Sequence, residues 1–291
     1  GTMLSYGLCS ECTDLAELLR KNHNDIRRRF RMEKYEVFQI DENTWRIEEY
    51  NSLCNVYMYL LTGERETLLI DAGYGNIPLD QIVASLTTLP VQVILTHGHY
   101  DHIGGTGLFE RVLIHPEDVK MYGIYAESAE KTDMTDSEKK VPKLNRTVTL
   151  LREGEEIDLG GRKLQVIYVP GHSGGCICLL DAQREWLFTG DTCCEGDILL
   201  HLRFSQKPEV YLQSLRKLKK EKYKVIWPAH HRVPLEPEIV KDLEEAAELV
   251  CSGTVEGETV ETSFGTAKRF GYKKVGIIYR EDGTPETANE E

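Results

Sequence analysis

The chain has 291 residues, 41% hydrophobic and 29% charged, with a formal net charge of −13. That composition is ordinary for a globular protein, and the acidic balance argues against nucleic acid or an anionic membrane as the main partner. Apolar runs fall short of the ~20 residues a membrane span needs, and the N-terminus lacks the basic-then-apolar pattern of a secretory signal, so a cytoplasmic protein is expected.

Residues 12–31 read as a helix with Leu15, Leu18 and Leu19 on one side, making 1–33 an N-terminal helical arm before a single domain over 34–291. Its basic run, "RKNHNDIRRRFR" (20–31), suits a solvated or homodimer-contact face. The pair in "CSEC" (9–12) has half of a zinc-site spacing with no second half. The eight cysteines are expected as reduced thiols, with adjacent Cys193 and Cys194 a small buried pair.

Strand signals begin with "YEVFQI" (35–40), "TWRIEEY" (44–50) and "VYMYLLTG" (56–63), divided by polar turns. "TLLIDAG" (67–73) and "VQVILTH" (91–97) are continuous apolar runs, as strands buried on both faces require. Between them "PLDQIVASL" (78–86) reads as a helix with Pro in its first turn. The polar stretch 116–145 interrupts the pattern and suits a lid, with Tyr122 and Tyr125 placed to touch a substrate. Strands resume at 146–151, 163–169, 175–181 and 185–191. A helix over 208–222 has Val210, Leu212, Leu215 and Leu218 on one face. The strand 224–231 ends in histidines, a last helix spans 236–250, and 275–280 is strand-like. Helices interleaved with strands indicate an α/β layered fold, compatible with two sheets flanked by helices.

The chemistry gathers at strand ends. "VILTHGHYDHIGG" (93–105) supplies His97, His99, Asp101 and His102 within six positions. His172 follows "VIYVPG", Asp191 follows "EWLFTG" and His230 follows "KVIWPA". Strand ends on one rim of a sheet converge, so distant residues meet there. Five imidazoles and two carboxylates suit zinc, with iron or manganese as alternatives. Two ions fit the inventory: His97, His99 and His172 on one, Asp101, His102 and His230 on the other, and Asp191 bridging. Positions left open for water mark a catalytic site. His231 competes with His230, which is preferred because it directly follows the small residue.

These motifs, "TLLIDAG", "THGHYDHIGG", "VPGHSGGCICLL", "LFTGDTC" and "WPAHH", resemble the five successive motifs of the metallo-β-lactamase superfamily, over roughly residues 35–231. The resemblance implies an αββα sandwich of two mixed β-sheets flanked by helices, with a binuclear metal centre on one rim. It implies that Asp71 orients the loop below the site without being a ligand, that Gly104 and Gly105 let the chain turn sharply, and that Ser173 supports His172. It further implies a hydrolase in which two cations lower the pKa of a shared water from 15.7 to roughly 7, with Asp101 steering the water or taking its proton.

Departures prune the branches. True β-lactamases of this type commonly carry cysteine where Asp191 stands, and the flavin-linked di-iron reductases carry Glu where His99 stands. The glyoxalase II-like thioesterases place a mostly helical domain after the last motif, where this chain has about 60 residues. An ester-like bond of a small molecule is the expected substrate: a lactone, ester or thioester. Alternatives are a phosphodiesterase, or a mononuclear iron persulfide dioxygenase suggested by Cys193 and Cys194. "DILLHLRFS" (197–205) offers His201 and Arg203 as further substrate contacts.

Overall fold

The computed structural model describes residues 34–52, 54–131 and 147–281. The helical arm, the "CSEC" pair and most of the second half of the 116–145 excursion lie outside these residues.

Strands β1 (Tyr35–Asp41), β2 (Thr44–Glu49), β3 (Val56–Thr62), β4 (Thr67–Ile70), β5 (Val91–Ile94), β6 (Arg111–Ile114) and β7 (Thr147–Leu150) form one sheet in sequence order. It is antiparallel from β1 to β4 and parallel from β4 to β7. A second sheet has the order β13-β11-β10-β9-β8, from β8 (Glu156–Asp158), β9 (Lys163–Tyr168), β10 (Ile177–Asp181), β11 (Trp186–Gly190) and β13 (Val225–Pro228).

Alternation along the strands builds the layers. Tyr59 and Leu61 of β3 face the second sheet and pack with Val166, Leu179, Phe188 and Trp227. Their neighbours Met58 and Leu60 face the other way, onto α1 (Leu79–Leu86) through Ile82 and Val83. The outer face of the second sheet packs on α4 (Pro208–Leu218) and α5 (Glu238–Ser252) through Tyr211, Leu215, Leu243 and Ala247. The result is the αββα sandwich, each buried Leu- or Phe-sized side chain contributing roughly 1.5–3 kcal/mol. In α4 the buried stripe runs through Tyr211, Leu212, Leu215 and Leu218. Val210 is only half-buried, because Tyr211 takes the inward place the sequence reading gives to it.

A third sheet goes beyond the two expected. Strands β12 (Gly196–Leu200), β14 (Glu258–Thr262), β15 (Gly265–Tyr272) and β16 (Val275–Tyr279) pair in the order β12-β16-β15-β14. One of its faces joins the core beneath α5 through Ile198, Leu200, Val275 and Ile277. No helix of the described residues is long and apolar enough to cross a membrane.

Candidate metal centre

The seven residues singled out at strand ends all reach one rim of the sandwich. The loop after β5 brings His97 and His99, and the four-residue helix α2 (Tyr100–Ile103) then turns Asp101 and His102 toward them. The loops after β9 and β11 bring His172 and Asp191, and the end of β13 brings His230. Three triads have donor atoms within 4.8 Å of one another: His97, His99 and His172; Asp101, His102 and His230; and His97, His102 and Asp191. The first two are the triads expected from the sequence. Asp191 spans them, with Oδ2 3.4 Å from His172 Nε2, and Oδ1 3.3 Å from His102 Nε2 and 3.4 Å from His230 Nε2.

The outward nitrogens of these rings are tied down, which fixes what the inward ones can do. His172 Nδ1 lies 2.9 Å from the Leu199 carbonyl and His230 Nδ1 2.6 Å from the Asn55 carbonyl, so both donate outward. The Thr96 hydroxyl donates to Asp71 Oδ2 at 2.8 Å and therefore accepts from His97 Nδ1 at 3.1 Å. His102 Nδ1 donates to the same Asp71 oxygen at 2.9 Å. Each of these rings turns Nε2 inward, whereas His99 meets His172 Nε2 through Nδ1, at 2.8 Å.

The inward atoms are the test of whether a metal fits. His97 Nε2, His102 Nε2 and Asp191 Oδ1 are buried with no hydrogen-bond partner among the described residues. Asp191 Oδ1 meets two imidazoles at ion-pair distance but without hydrogen-bond alignment, as donor atoms do when they aim at a common point between them. Buried unpaired polar atoms cost free energy, and a cation is the partner that imidazole and carboxylate donors share. The residues fit a divalent metal.

Electrostatics divide the histidines. Burial pushes His99 down to about 3 and lowers His97 and His172, so these three are neutral and ready to ligate. Burial also opposes charge on His102, but Asp101, Asp191 and Asp71 outweigh it and hold the ring at about 10. His230 is raised against burial by Asp191 and Asp101. Burial pushes the Asp101 and Asp191 carboxyls up, and the adjoining His102 and His230 rings bring both below the usual range.

The supports of the site are partly new. Asp71 sits in the left-handed region, φ 61°, a strained conformation for a side-chain-bearing residue. Besides His102 it accepts the Thr96 N–H at 2.8 Å, so it ties down both ends of the 96–102 segment, the support the resemblance implies. Asp118 is a support that sequence reasoning misses. Its buried carboxylate accepts the Gly98 N–H at 2.8 Å, the Ser173 hydroxyl at 2.7 Å and the Gly175 N–H at 2.6 Å. Ser173 therefore acts through Asp118 and not on the His172 ring. Burial raises the Asp118 carboxyl above the usual range. Gly104 and Gly105 have ordinary backbone angles, φ −56° and −90°. They are needed for close approach: a Cβ on Gly104 would lie 2.1 Å from the Tyr74 carbonyl carbon, and one on Gly105 2.6 Å from the Ala72 oxygen.

A cleft of about 550 Å³ opens over the centre and is lined by His99, Asp101, His172, Asp191 and His230. Tyr125 and Arg203 line it, as expected. Tyr122 does not: it is buried in the core with its hydroxyl 3.2 Å from Thr106 Oγ1, because it lies on the inner side of α3 (Val119–Lys131). His201 is also buried, behind Phe264 at a ring distance of 6.2 Å, and is not among the residues lining the cleft. Tyr100, unexplained by its motif, joins Tyr74 and Tyr125 in an aromatic cluster at ring distances of 5.7 and 6.3 Å on the cleft wall. His231, with φ 64°, lines the cleft outside the three triads. Cys193 is in the core, and Cys194, which reaches the cleft, is pushed up to about 12 by burial and so stays a thiol.

Fold and site together define a hydrolase of the metallo-β-lactamase type. The profile of the Metallo-beta-lactamase superfamily matches residues 51–230, and the chain belongs to that superfamily. It is 30% identical over 195 residues to the human acyl-coenzyme A thioesterase MBLAC2, a match covering 58% of this chain and 68% of that one. It is 29% identical over 180 residues to the atrochrysone carboxyl ACP thioesterase of Aspergillus fumigatus, covering 60% of this chain and 50% of that one. Among solved structures, a metallo-beta-lactamase family protein from Thermus thermophilus aligns with a TM-score of 0.59 at 23% identity, over 74% of this chain and 82% of that one. A metallo-beta-lactamase from Pontibacter korlensis aligns with a TM-score of 0.56 at 18% identity, over 74% of this chain and 99% of that one.

Proposed function

We propose that the protein is a metal-dependent thioesterase whose centre holds two divalent ions, zinc in the first instance. The observation that carries this reading is the cluster of donor atoms under the cleft, in which His97 Nε2, His102 Nε2 and Asp191 Oδ1 are buried without a hydrogen-bond partner and the His97 and His102 rings are fixed through their other nitrogens. Two relatives named as thioesterases support the choice of bond.

His97, His99 and His172 would hold one ion and Asp101, His102 and His230 the other, with Asp191 shared between the two groups. When bound, the pair makes water nucleophilic near neutral pH and polarises the carbonyl under attack. Asp101 Oδ2 is 3.3 Å from His230 Nε2, and its carboxylate would be the group at the centre to steer a water or take its proton. Tyr74, Tyr100 and Tyr125, with Leu199 and Ile278, line the cleft and offer an apolar surface to the acyl group. A thiol leaving group has a pKa of about 8.5 and departs without a strong general acid. Arg203 makes no ion pair with another described residue and stands half-buried at the cleft, placed for an anionic group on the acyl carrier.

The test is release of free thiol from acyl-coenzyme A thioesters by the zinc-loaded protein. Release that a chelator stops and zinc restores is the expected result. No release from any thioester, with hydrolysis of lactones or phosphodiesters instead, would contradict it.

A further inference from the structure

The third sheet does more than close the fold. His172 Nδ1 meets the carbonyl of Leu199 on β12, and Ser205 Oγ donates to the His172 carbonyl at 2.8 Å. The sheet is thus tied to the candidate metal centre by one direct bond to His172, and the loop after β12 adds a second through Ser205. Its two faces are unlike in what they pack against. Ile198, Leu200 and Ile277 belong to the core, and Ile198 also borders the cleft. Leu199 and Ile278, opposite each other in the β12–β16 register, belong by alternation to the other face and line the cleft.

Phe264 extends this wall. It sits at the tip of the β14–β15 hairpin and is 61% exposed, yet it lines the same cleft. The backbone of the tip is tied by its own turn: Thr262 Oγ1 accepts the Phe264 N–H at 3.1 Å and donates to the Gly265 carbonyl at 2.7 Å. An aromatic ring presented over a cleft, and left largely in water, is a surface for an apolar ligand. Phe264 and Ile278 lie beyond the part of the chain that matches the superfamily profile, residues 51–230, and Leu199 lies within it.

We propose that this face of the third sheet binds the hydrocarbon chain of an acyl thioester, with Leu199 and Ile278 beside the reacting carbonyl and Phe264 at the far end. The substrate class is then a medium- or long-chain acyl group and not acetyl. The proposal rests on the thioesterase reading and adds to it the part of the chain that selects the acyl group.

The test is a series of saturated acyl-coenzyme A substrates from four to sixteen carbons, assayed with the zinc-loaded wild type, Phe264→Ala and Ile278→Phe. Each methylene laid on the wall should raise wild-type kcat/KM about two- to fourfold until the wall ends. Phe264→Ala should lower the ratio of long-chain to short-chain kcat/KM about tenfold, through KM. Ile278→Phe, which fills the wall, should move the optimum to shorter chains. A thermal melt of each variant checks that it has folded. Equal cleavage of every length, or a length profile that both substitutions leave unaltered, overturns the acyl wall while the thioesterase reading stands. Absence of cleavage at any length, by a protein that binds zinc, overturns both.

Discussion

Asp118 accepts the hydroxyl of Ser173 at 2.7 Å, and that bond joins two loops that come from different sheets. The same carboxylate holds the N–H of Gly98, between His97 and His99, and that of Gly175, beyond His172. One buried acid thus ties together the two loops that supply the His97, His99 and His172 group. Asp118→Ala leaves two backbone N–H groups and a hydroxyl without a partner. The expected outcome is a 10- to 100-fold weaker hold on zinc, the usual scale for a support of this kind. Competition with a chromophoric chelator measures it, and wild-type affinity in the folded variant would remove Asp118 from the design of the site.

Metal loading should release protons. In the metal-free protein His102, held at about 10 by Asp101, Asp191 and Asp71 against its burial, is a cation at neutral pH, and His230 is raised in the same sense. For folding of the metal-free protein, the charged ring contributes stability that is fully present below pH 6.5 and is lost as the pH rises through about 10. For zinc binding the sign is opposite: the proton must leave, so affinity rises with pH across that window. Calorimetric titrations at pH 7 in buffers of different ionisation enthalpy should show at least two protons released per chain, one from each ring, with ionisation of a bound water adding to them. Zero release would contradict the charge assignment.

The backbone contact behind α2 leaves no room for a side chain. Gly104→Ala puts a methyl 2.1 Å from the carbonyl carbon of Tyr74, which has no flexible end to move aside. The expected cost is about 1–3 kcal/mol of stability, with weaker metal binding because Asp101 and His102 ride on the displaced turn. Urea unfolding with and without zinc measures both. A variant with wild-type stability would show that the loop yields freely.

The sandwich interface offers a check on packing. Tyr59 is buried between the sheets, its ring 5.1 Å from Phe188 and its hydroxyl 2.6 Å from the Pro228 carbonyl. Tyr59→Phe keeps the ring and removes the hydrogen bond, at about 1–2 kcal/mol. Phe188→Ala opens a cavity at about 3–5 kcal/mol. Equal losses from the two substitutions would mean that the hydroxyl matters far more than this geometry allows.

The parts of the site legible in the sequence share a signature. Each ligand follows an apolar strand, and the strand's burial fixes where its end must lie, so "VILTHGHYDH" and "KVIWPAHH" disclose their roles locally. Asp118 discloses nothing locally. It stands in "HPEDVK", where an acid reads as ordinary helix-start chemistry, and its importance comes from Gly98 and Ser173, which only the fold brings to it. Tyr122 and Tyr125 are indistinguishable in a polar stretch. Three residues apart on one helix, they fall on neighbouring parts of its surface, and the packing of α3 sends the first into the core and the second to the cleft. The third sheet is hidden because "ETVETSFGTAKRFGY" is polar on both faces over much of its length. Only β12 and β16, with Ile198, Leu200 and Ile277 in the core, have readable apolar runs, and the two are about 75 residues apart in the sequence.

The account stands or falls on the metal inventory. Zinc titrated into metal-free protein, followed by calorimetry and by elemental analysis after gel filtration, should give two ions per chain. His230→Ala should reduce the count to one and His231→Ala should leave it at two. A wild-type count of one or none, or loss of metal with His231→Ala but not with His230→Ala, would contradict the binuclear centre described above.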